Sequence, residues 1–577
     1  MAQTPKNQTP SQAIWVALAL VASTLLLYEV MLTRVSSLRY HFHFSYLVVS
    51  NCLLGFGVSG TVLYVYRSVW WDAPEKWLAK VCGGYAASLL CAWVFMQTFP
   101  VHRGTMGLWG VVSFTLFNLL TGLPFFWGGA YVGLVLSRWG KLAGRLYAVD
   151  LLFAGIGCGL CPVLLSRIGG EGVLAFALAG SILAWALLQR SKKARWGLSG
   201  VSILLAVAGL FVGDHVLLPS KRSAPILSSV WSATSRVDVL ALEAHERKVV
   251  SLGLAHQHEE IPPQVELVQD GTASTYLTDF SGSPESLGLL TGSLYGAASA
   301  ISEEASVLVV GFGGGHDVWA ALHGGARKVV GVDMNPRMLT AHTELFRDYS
   351  EAMVEDPRVE LRVSEGRSAL MRVDEQFDLV QMSGIDTWAA LASGAYMLAE
   401  NHLYTREGFQ HMLGRVAKGG MLQIVRMGAE MEVVRVLALI RDVLEPTNQF
   451  GSSVVVLGGS HHLVGVLVRP GGFSRPQSTE LLDYAAEHGF DVLYHPDLDR
   501  PGWIQDFVRT QSPGAFIEAF PKDVRPPTDD RPYFFSFDRW DRFFSTASTI
   551  REPTYVSQGN PIFVVLQLLG HSVVAFC

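Results

Sequence analysis

The chain has 577 residues, half of them apolar and only 16% charged, with a mean hydropathy of +0.30. Soluble globular domains carry about 25% charged residues, so this composition excludes an ordinary soluble protein and calls for membrane segments. The net charge of -6, with no long basic run and no zinc-type Cys/His cluster, excludes nucleic acid as an expected partner.

A bilayer core about 30 Å thick needs roughly 20 apolar residues in a helix, and about seven such stretches precede residue 220. They lie near 13–33, 44–66, 81–99, 107–136, 146–167, 171–189 and 197–218, behind a short tail, 1–12. The first is too long for a cleavable signal peptide, lacks a small-residue cleavage site, and is followed by further spans. The fourth contains Gly122-Leu123-Pro124, where a kink or tilt is expected. All six cysteines fall in apolar segments, so no disulfide framework is visible. Cys158-Gly-Leu-Cys161 has CxxC form but reads as two small packing residues one turn apart in an apolar helix. Glu29 and Asp150 are expected at the interfacial zone, paired with Arg34 or Arg145; the alternative is that they face the bundle interior. Lys and Arg favour the loops on the N-terminal side (Arg67, Lys76, Lys80; Arg138, Lys141, Arg145; Arg190, Lys192, Lys193, Arg195), which places the N-terminus in the cytoplasm. Seven spans would then put the following domain outside. The apolar segment 561–577 reads as the start of a further span, and the chain is expected to continue beyond it.

Residues 219–555 are mixed in composition and long enough for a domain with its own core. Residues 219–300 read as a β-rich subdomain and linker, 301–430 as a Rossmann-like core of βαβ units, and 431–555 as an α+β part. The central signal is Val307-Leu-Val-Val310 running into Gly311-Phe-Gly313-Gly314-Gly315-His316-Asp317, then a helical stretch. Glycines there permit a tight turn and close backbone approach to a ligand. A second strand, Lys328-Val-Val-Gly-Val332, ends in Asp333, placed to accept both hydroxyls of a ribose. A third strand ends in Ser364-Glu365-Gly366, and a fourth, Phe377-Asp-Leu-Val-Gln-Met382, in Ser383-Gly-Ile-Asp386. A dehydrogenase needs only the first of these acids. Three in series at successive strand ends fit an adenosyl ligand held at ribose, adenine and reacting end.

These motifs carry a resemblance. Residues 235–545 resemble the spermidine synthase family of class I S-adenosyl-type transferases. The helical block, through Leu27-Tyr28-Glu29-Val-Met-Leu-Thr-Arg34 and Arg145-Leu-Tyr-Ala-Val-Asp-Leu151, is similar to the membrane-embedded branch of that family. So are Asp386-Thr-Trp-Ala-Ala, Glu400-Asn-His-Leu-Tyr-Thr405 and Pro527-Thr-Asp-Asp-Arg-Pro-Tyr-Phe-Phe535. The resemblance implies that Gly311, Gly313, Gly314, Gly315 and Asp317 form the cofactor loop, that Asp333 holds the ribose, and that Glu365 with Gly366 contacts the adenine amine. It implies S-adenosylmethionine or its decarboxylated form as co-substrate, and no metal. Two departures bear on the reaction. The loop acid of the aminopropyl-transferring enzymes is replaced by Gly314, with Asp317 as a substitute three residues on. Their activating Asp after the fourth strand is replaced by Ser383, which leaves Asp386 as the remaining base.

The expected protein is therefore a membrane-anchored transferase in the bacterial inner membrane. It would move an aminopropyl or methyl group to a small-molecule acceptor, with the lipid bilayer as partner and a homodimer among the assemblies allowed. The alternative is a transporter or sensor whose degenerate synthase-like domain only binds a nucleotide ligand. Asp529-Asp530-Arg531 reads as a self-satisfied turn, with Arg531 paired to one Asp, the alternative being a lid or substrate role, and His461-His462 as an exposed hairpin turn. His41-Phe-His43 is expected to anchor at the interface; Trp388 and Tyr396 stack near the ligand or pack in the core.

Overall fold

The structure, a computed structural model, describes residues 9–39, 44–70, 74–98, 108–211, 225–233, 235–271, 273–280, 287–385, 400–428, 430–444, 450–537 and 539. The chain divides into two compact units. One holds the long apolar helices and the chain to Asp238 with the segment Gln269–Thr272; the other runs over Val239–Val268 and, among the described residues, from Ala273 onward.

Among the described residues the first unit contains six helices long and apolar enough to cross a membrane. They are α1 (Gln12–Arg39), α2 (Phe44–Val65), α3 (Pro74–Thr98), α4 (Leu108–Arg138), α5 (Ala143–Leu187) and α6 (Lys192–Phe211). Residues on α1 such as Leu18, Leu25, Tyr28 and Leu32 are fully packed, while Leu53 and Tyr64 on α2, Leu152 on α5 and Leu204 and Phe211 on α6 face outward. Helices apolar on both faces belong in a core or in lipid.

α5 is the informative element. As one straight rod its 45 residues would reach about 68 Å, more than twice a bilayer core. Gly169 interrupts it at φ 67°, ψ 177°, outside helical geometry. A Cβ built on Gly157 would sit 2.0 Å from the Ser23 carbonyl, and one on Gly180 2.5 Å from Thr24 Cγ2. In a straight helix those two glycines would be about 35 Å apart, yet both lie against neighbouring residues of α1. α5 therefore doubles back at Gly169, and its halves embrace the middle of α1. Among the described residues, six helices, one of them doubled, give seven apolar segments, with the break between the two stretches expected at 146–167 and 171–189.

Polar groups in this unit meet one another. Tyr28 donates to the Thr121 carbonyl at 3.0 Å, Asn51 to Asn118 at 2.6 Å, and the Thr24 and Tyr85 hydroxyls share a hydrogen bond of 3.0 Å. The expected pairing of Glu29 with Arg34 is not the contact formed: Glu29 accepts from the Cys52 thiol at 3.3 Å. Residues five apart point about 140° from each other around a helix, so Arg34 is on the wrong face. The same spacing separates Arg145 from Asp150. Cys158 is exposed and Cys161 buried, both as free thiols.

Strands β1 (Ile226–Trp231), β2 (Arg236–Ala241), β3 (Gln264–Gln269) and β4 (Ala273–Thr278) form a sheet in the order β1-β2-β3-β4. The larger sheet has eight strands: β5 (Ser306–Val310), β6 (Lys328–Asp333), β7 (Val359–Val363), β8 (Phe377–Ser383), β9 (Val416–Met427), β10 (Val454–Gly458), β11 (Leu463–Val468) and β12 (Asp491–Tyr494), in the order β12-β10-β11-β9-β8-β5-β6-β7. β7, β6, β5, β8 and β9 are parallel neighbours; β11, β10 and β12 continue antiparallel. The central strand β5 is Ser-Val-Leu-Val-Val with every residue buried, as a parallel strand covered on both faces requires. From β5 the chain winds outward through β6 and β7, then returns to the other side for β8 and β9. The reversal between β5 and β8 is a topological switch point, where open α/β sheets leave a crevice at the carboxyl ends of the strands. Residues 431–555, expected as an α+β part, contribute β10–β12 to this same sheet, and His462 turns between β10 and β11 at φ 60°.

Candidate nucleotide site

β5 delivers the glycine loop to the switch point. Gly311, Gly313 and Gly315 take φ of 82°, 46° and 82°, a region that side chains disfavour. Gly315 ends the loop as the left-handed cap of helix α7 (His316–His323). Gly314 is closed to any side chain, since a Cβ there would lie 2.0 Å from the Tyr276 carbonyl. Its N–H donates to Thr275 Oγ1 at 3.0 Å. Sterics thus exclude any side chain, an acid included, at this loop position.

Two side chains fix the loop from the far side. Asp333, at the tip of β6, accepts from Gly313 N–H at 3.1 Å and from Asn335 N–H at 2.8 Å. Burial raises its pKa, and these two bonds partly offset the rise. His342 sits 2.9 Å from the Gly313 carbonyl through Nε2 and 2.7 Å from Ser350 Oγ through Nδ1. A carbonyl only accepts, so Nε2 carries the proton and Nδ1 accepts from the serine. Burial pushes the imidazole down to about 4, keeping it neutral. A π-helical turn, Ala341–Leu345, following helix α8 (Pro336–Thr340), aims His342 at the loop. Such turns recur at functional sites. Thr275 and His342 carry no sequence signal, because each acts across a long stretch of chain.

Asp317 lies in the first turn of α7 and is only 3% exposed. Burial pushes its carboxyl up to about 7; the nearby Asp333 charge adds to the rise, while its own and Val318's N–H and the Ser383 hydroxyl work against it. Ser383, whose hydroxyl eases that ionisation, stands at the tip of β8. Tyr295 stands by the same carboxyl, its phenol pushed up by burial and by Asp317.

Glu365 caps helix α9 (Gly366–Arg372), accepting from Arg367 N–H at 2.9 Å and Ser368 N–H at 2.8 Å. Burial opposes ionisation, but these bonds and the Arg367 charge hold the carboxyl below its usual value. Gly366 packs beside the end of β5, a Cβ there lying 2.8 Å from Val310 Cγ1. The Asp529 turn is not self-satisfied as expected. Asp529 takes both guanidinium arms of Arg367 and accepts from the Thr405 hydroxyl at 2.8 Å, while Arg531 lies 3.8 Å from Asp523. The Arg367 hydrogen bond is the main reason the Asp529 carboxyl falls to about 2. The two guanidinium-carboxylate bonds outcompete a single contact to a neighbour in the turn.

The structure thus brings the glycine loop, Asp317, Asp333, Glu365, Gly366 and Ser383 to one edge of the sheet. Asp386, Trp388 and Tyr396 lie outside the described residues, as do His41, His43 and the segment 561–577. Among the described residues no group of three or more His, Cys, Asp or Glu side chains converges as a metal site would.

No family model matches the chain, and no curated protein does. Solved structures do align with it. One is a spermidine synthase in complex with the transition-state analogue AdoDATO, at 14% identity, covering 49% of this chain and 87% of that one, with a TM-score of 0.32. Another is the spermidine synthase of Thermotoga maritima, at 14% identity, with the same coverage of 49% and 87% and a TM-score of 0.33. An rRNA methylase from Streptococcus thermophilus aligns at 15% identity over 30% of this chain and 93% of its own, with a TM-score of 0.22. Likeness at this level assigns no ligand, and the chemistry of the site rests on its own geometry. The chain is similar to these proteins through a mixed α/β sheet domain that follows a region of several apolar helices.

Proposed function

We propose that this protein is a membrane-anchored transferase that binds S-adenosylmethionine or its decarboxylated form and passes a methyl or aminopropyl group to a small acceptor. One observation carries the reading: the Asp333 carboxylate is bonded to the glycine loop at the switch point of the sheet. Each carboxylate oxygen of Asp333 accepts one backbone N–H and keeps a lone pair for a ribose hydroxyl. Glu365, anchored by two helix N–H groups, keeps the same capacity for the adenine amine. The left-handed glycines let the backbone come close to the nucleoside without a side chain between.

The outward apolar residues of α2, α5 and α6 support insertion of the helical unit in a bilayer, since contiguous apolar surface of this extent marks a lipid or protein contact. Extraction of cell membranes at alkaline pH tests that part: the chain should stay in the pellet. Mass spectrometry of products from isotope-labelled donor and candidate amines tests the transfer, and separates a methyl from an aminopropyl gain. Ser383 at the position of the activating acid favours a second reading, a domain that binds the nucleoside without turnover. In that case Asp333→Ala abolishes cellular function while Ser383→Ala leaves it intact.

A further inference from the structure

We infer that His256, His488 and Glu259 form a proton-operated latch in the sheet domain, closed at neutral pH and released on acidification. The latch is independent of the transferase reading above.

Three segments meet there, all within one compact unit. The chain leading to β3 brings His256 on the short turn Leu254–His256. The helix Arg475–His488 ends on His488, closed by Gly489 in the left-handed region at φ 73°. The segment before β5 brings Gly292. Gly253 packs so closely on the His488 carbonyl, and Gly292 on His256 Nε2, that neither position has room for a Cβ. Gly253 N–H donates to the Gly292 carbonyl at 3.0 Å, and Leu294 N–H to the Ser251 carbonyl at 2.8 Å. Tyr484, on the helix that ends in His488, donates to the Ser293 carbonyl at 2.6 Å.

His256 Nδ1 stands 2.5 Å from a Glu259 carboxylate oxygen, and its Nε2 stands 2.8 Å from His488 Nδ1. A carboxylate only accepts, so His256 Nδ1 carries a proton. Two ring nitrogens facing each other at that distance bond only when one proton lies between them. With both rings neutral, His488 supplies it. One added proton makes His256 an imidazolium that donates both ways, to Glu259 and to His488, and the contact survives. A second added proton sets N–H against N–H and charge against charge, and the contact opens.

The other titratable groups at the pair are Glu487, next to His488 on its helix, and Tyr484, whose ring meets His488 edge-on with 4.4 Å between centroids. Gly292 faces His256 with backbone alone. Burial pushes the His488 imidazole below its ordinary value and His256 adds to the fall, while Glu487 and Glu259 oppose it. The native state therefore holds fewer protons than the unfolded chain. The stabilisation is full above about pH 6.5 and is lost as pH falls through the lower folded value. The clamped segment leads directly into Tyr295, which stands by Asp317, so opening the latch frees the chain that holds Tyr295 there.

The test is amide hydrogen exchange of the full chain in lipid nanodiscs, read by mass spectrometry and corrected for intrinsic rates. Between about pH 7.5 and about pH 5.5, peptides spanning 249–259 and 288–295 should lose protection by about tenfold or more, while peptides from β5 and β6 keep theirs. His488→Gln leaves a neutral amide at the contact, so protection there should stop depending on pH. Glu259→Gln removes the carboxylate that accommodates the first added proton, so release should move upward by about half a pH unit or more. The Glu259 side chain is 49% exposed, so that variant keeps the fold and decides the matter even if His488→Gln does not fold. Parent protection unchanged over that range overturns the latch. A release midpoint left in place by Glu259→Gln, or pH-dependent release persisting in a folded His488→Gln, overturns it too.

Discussion

The two units differ in what their polar side chains hold. In the helical unit, hydroxyls turn back onto their own helix: Thr33 to Val30, Ser88 to Tyr85, Thr121 to Phe117, Ser181 to Leu178. Its outer surface is left to Leu53, Tyr64 and Phe211. In the sheet domain, the carboxylates of Asp333 and Glu365 collect at strand ends and are held by backbone N–H groups. An apolar helix surface offers a polar group few partners other than the helix backbone, whereas the edge of a sheet can present anchored acids to a ligand. Glycine divides the same way, serving helix contact at Gly157 and loop geometry at Gly314.

That contrast can be broken at its two tightest points, where the largest effects are expected. Gly314→Ala puts a Cβ 2.0 Å from the Tyr276 carbonyl; donor binding should fall at least a hundredfold, read by calorimetry, with the helical unit still folded. Gly157→Val puts side-chain atoms into the Ser23 carbonyl, 2.0 Å from the Cβ position. It should part α5 from α1 and lower the thermal midpoint in detergent, while a sheet-domain ligand still binds. If Gly157→Val leaves the midpoint alone, the doubled α5 is wrong.

Next in size is Asp333→Ala. Charge-assisted hydrogen bonds are worth about 1.5–3 kcal/mol, so affinity for an adenosyl ligand should drop by roughly 10- to 100-fold. A Kd within twofold of the parent would remove Asp333 from the site.

Asp317→Asn should also change how stability depends on pH. Burial pushes the folded carboxyl up to about 7, well above the ordinary aspartate range, so the native state holds an extra proton between the two. Stability is therefore full below about pH 4 and is lost as pH rises through 7, by up to roughly 4 kcal/mol. The variant should be the more stable protein at pH 8 and equal at pH 4 in thermal melts; a difference constant with pH contradicts the assignment. Smallest is Asp529→Asn. It weakens a partly exposed pair with Arg367, 37% and 15% exposed, so a loss of about 1 kcal/mol is expected by denaturant titration.

What the sequence made legible was local. The Val307–Val310 run, the glycines after it and Asp333 at the end of the next strand announce a parallel strand, a turn and an acid within one stretch. The gap between the apolar stretches near 168–170 announced the reversal in α5. What stayed hidden depends on distant contact: His342 and Thr275 bracing the loop, Asp529 reaching Arg367 across 162 positions, and Glu29 meeting Cys52. Asp317 was legible as an acid near the loop but not as a buried carboxyl, because burial is set by the sheet around it. β10 and β11, flanking His461-His462, were legible as strands, but not as additions to the same sheet; β12 was not read at all.

The most direct measurement is calorimetric titration of the full chain in nanodiscs with S-adenosylmethionine, decarboxylated S-adenosylmethionine and methylthioadenosine. At least one should bind saturably to the parent protein and lose its heat signal in Asp333→Ala. Heat from none of the three, or heat unchanged by that substitution, would contradict the account.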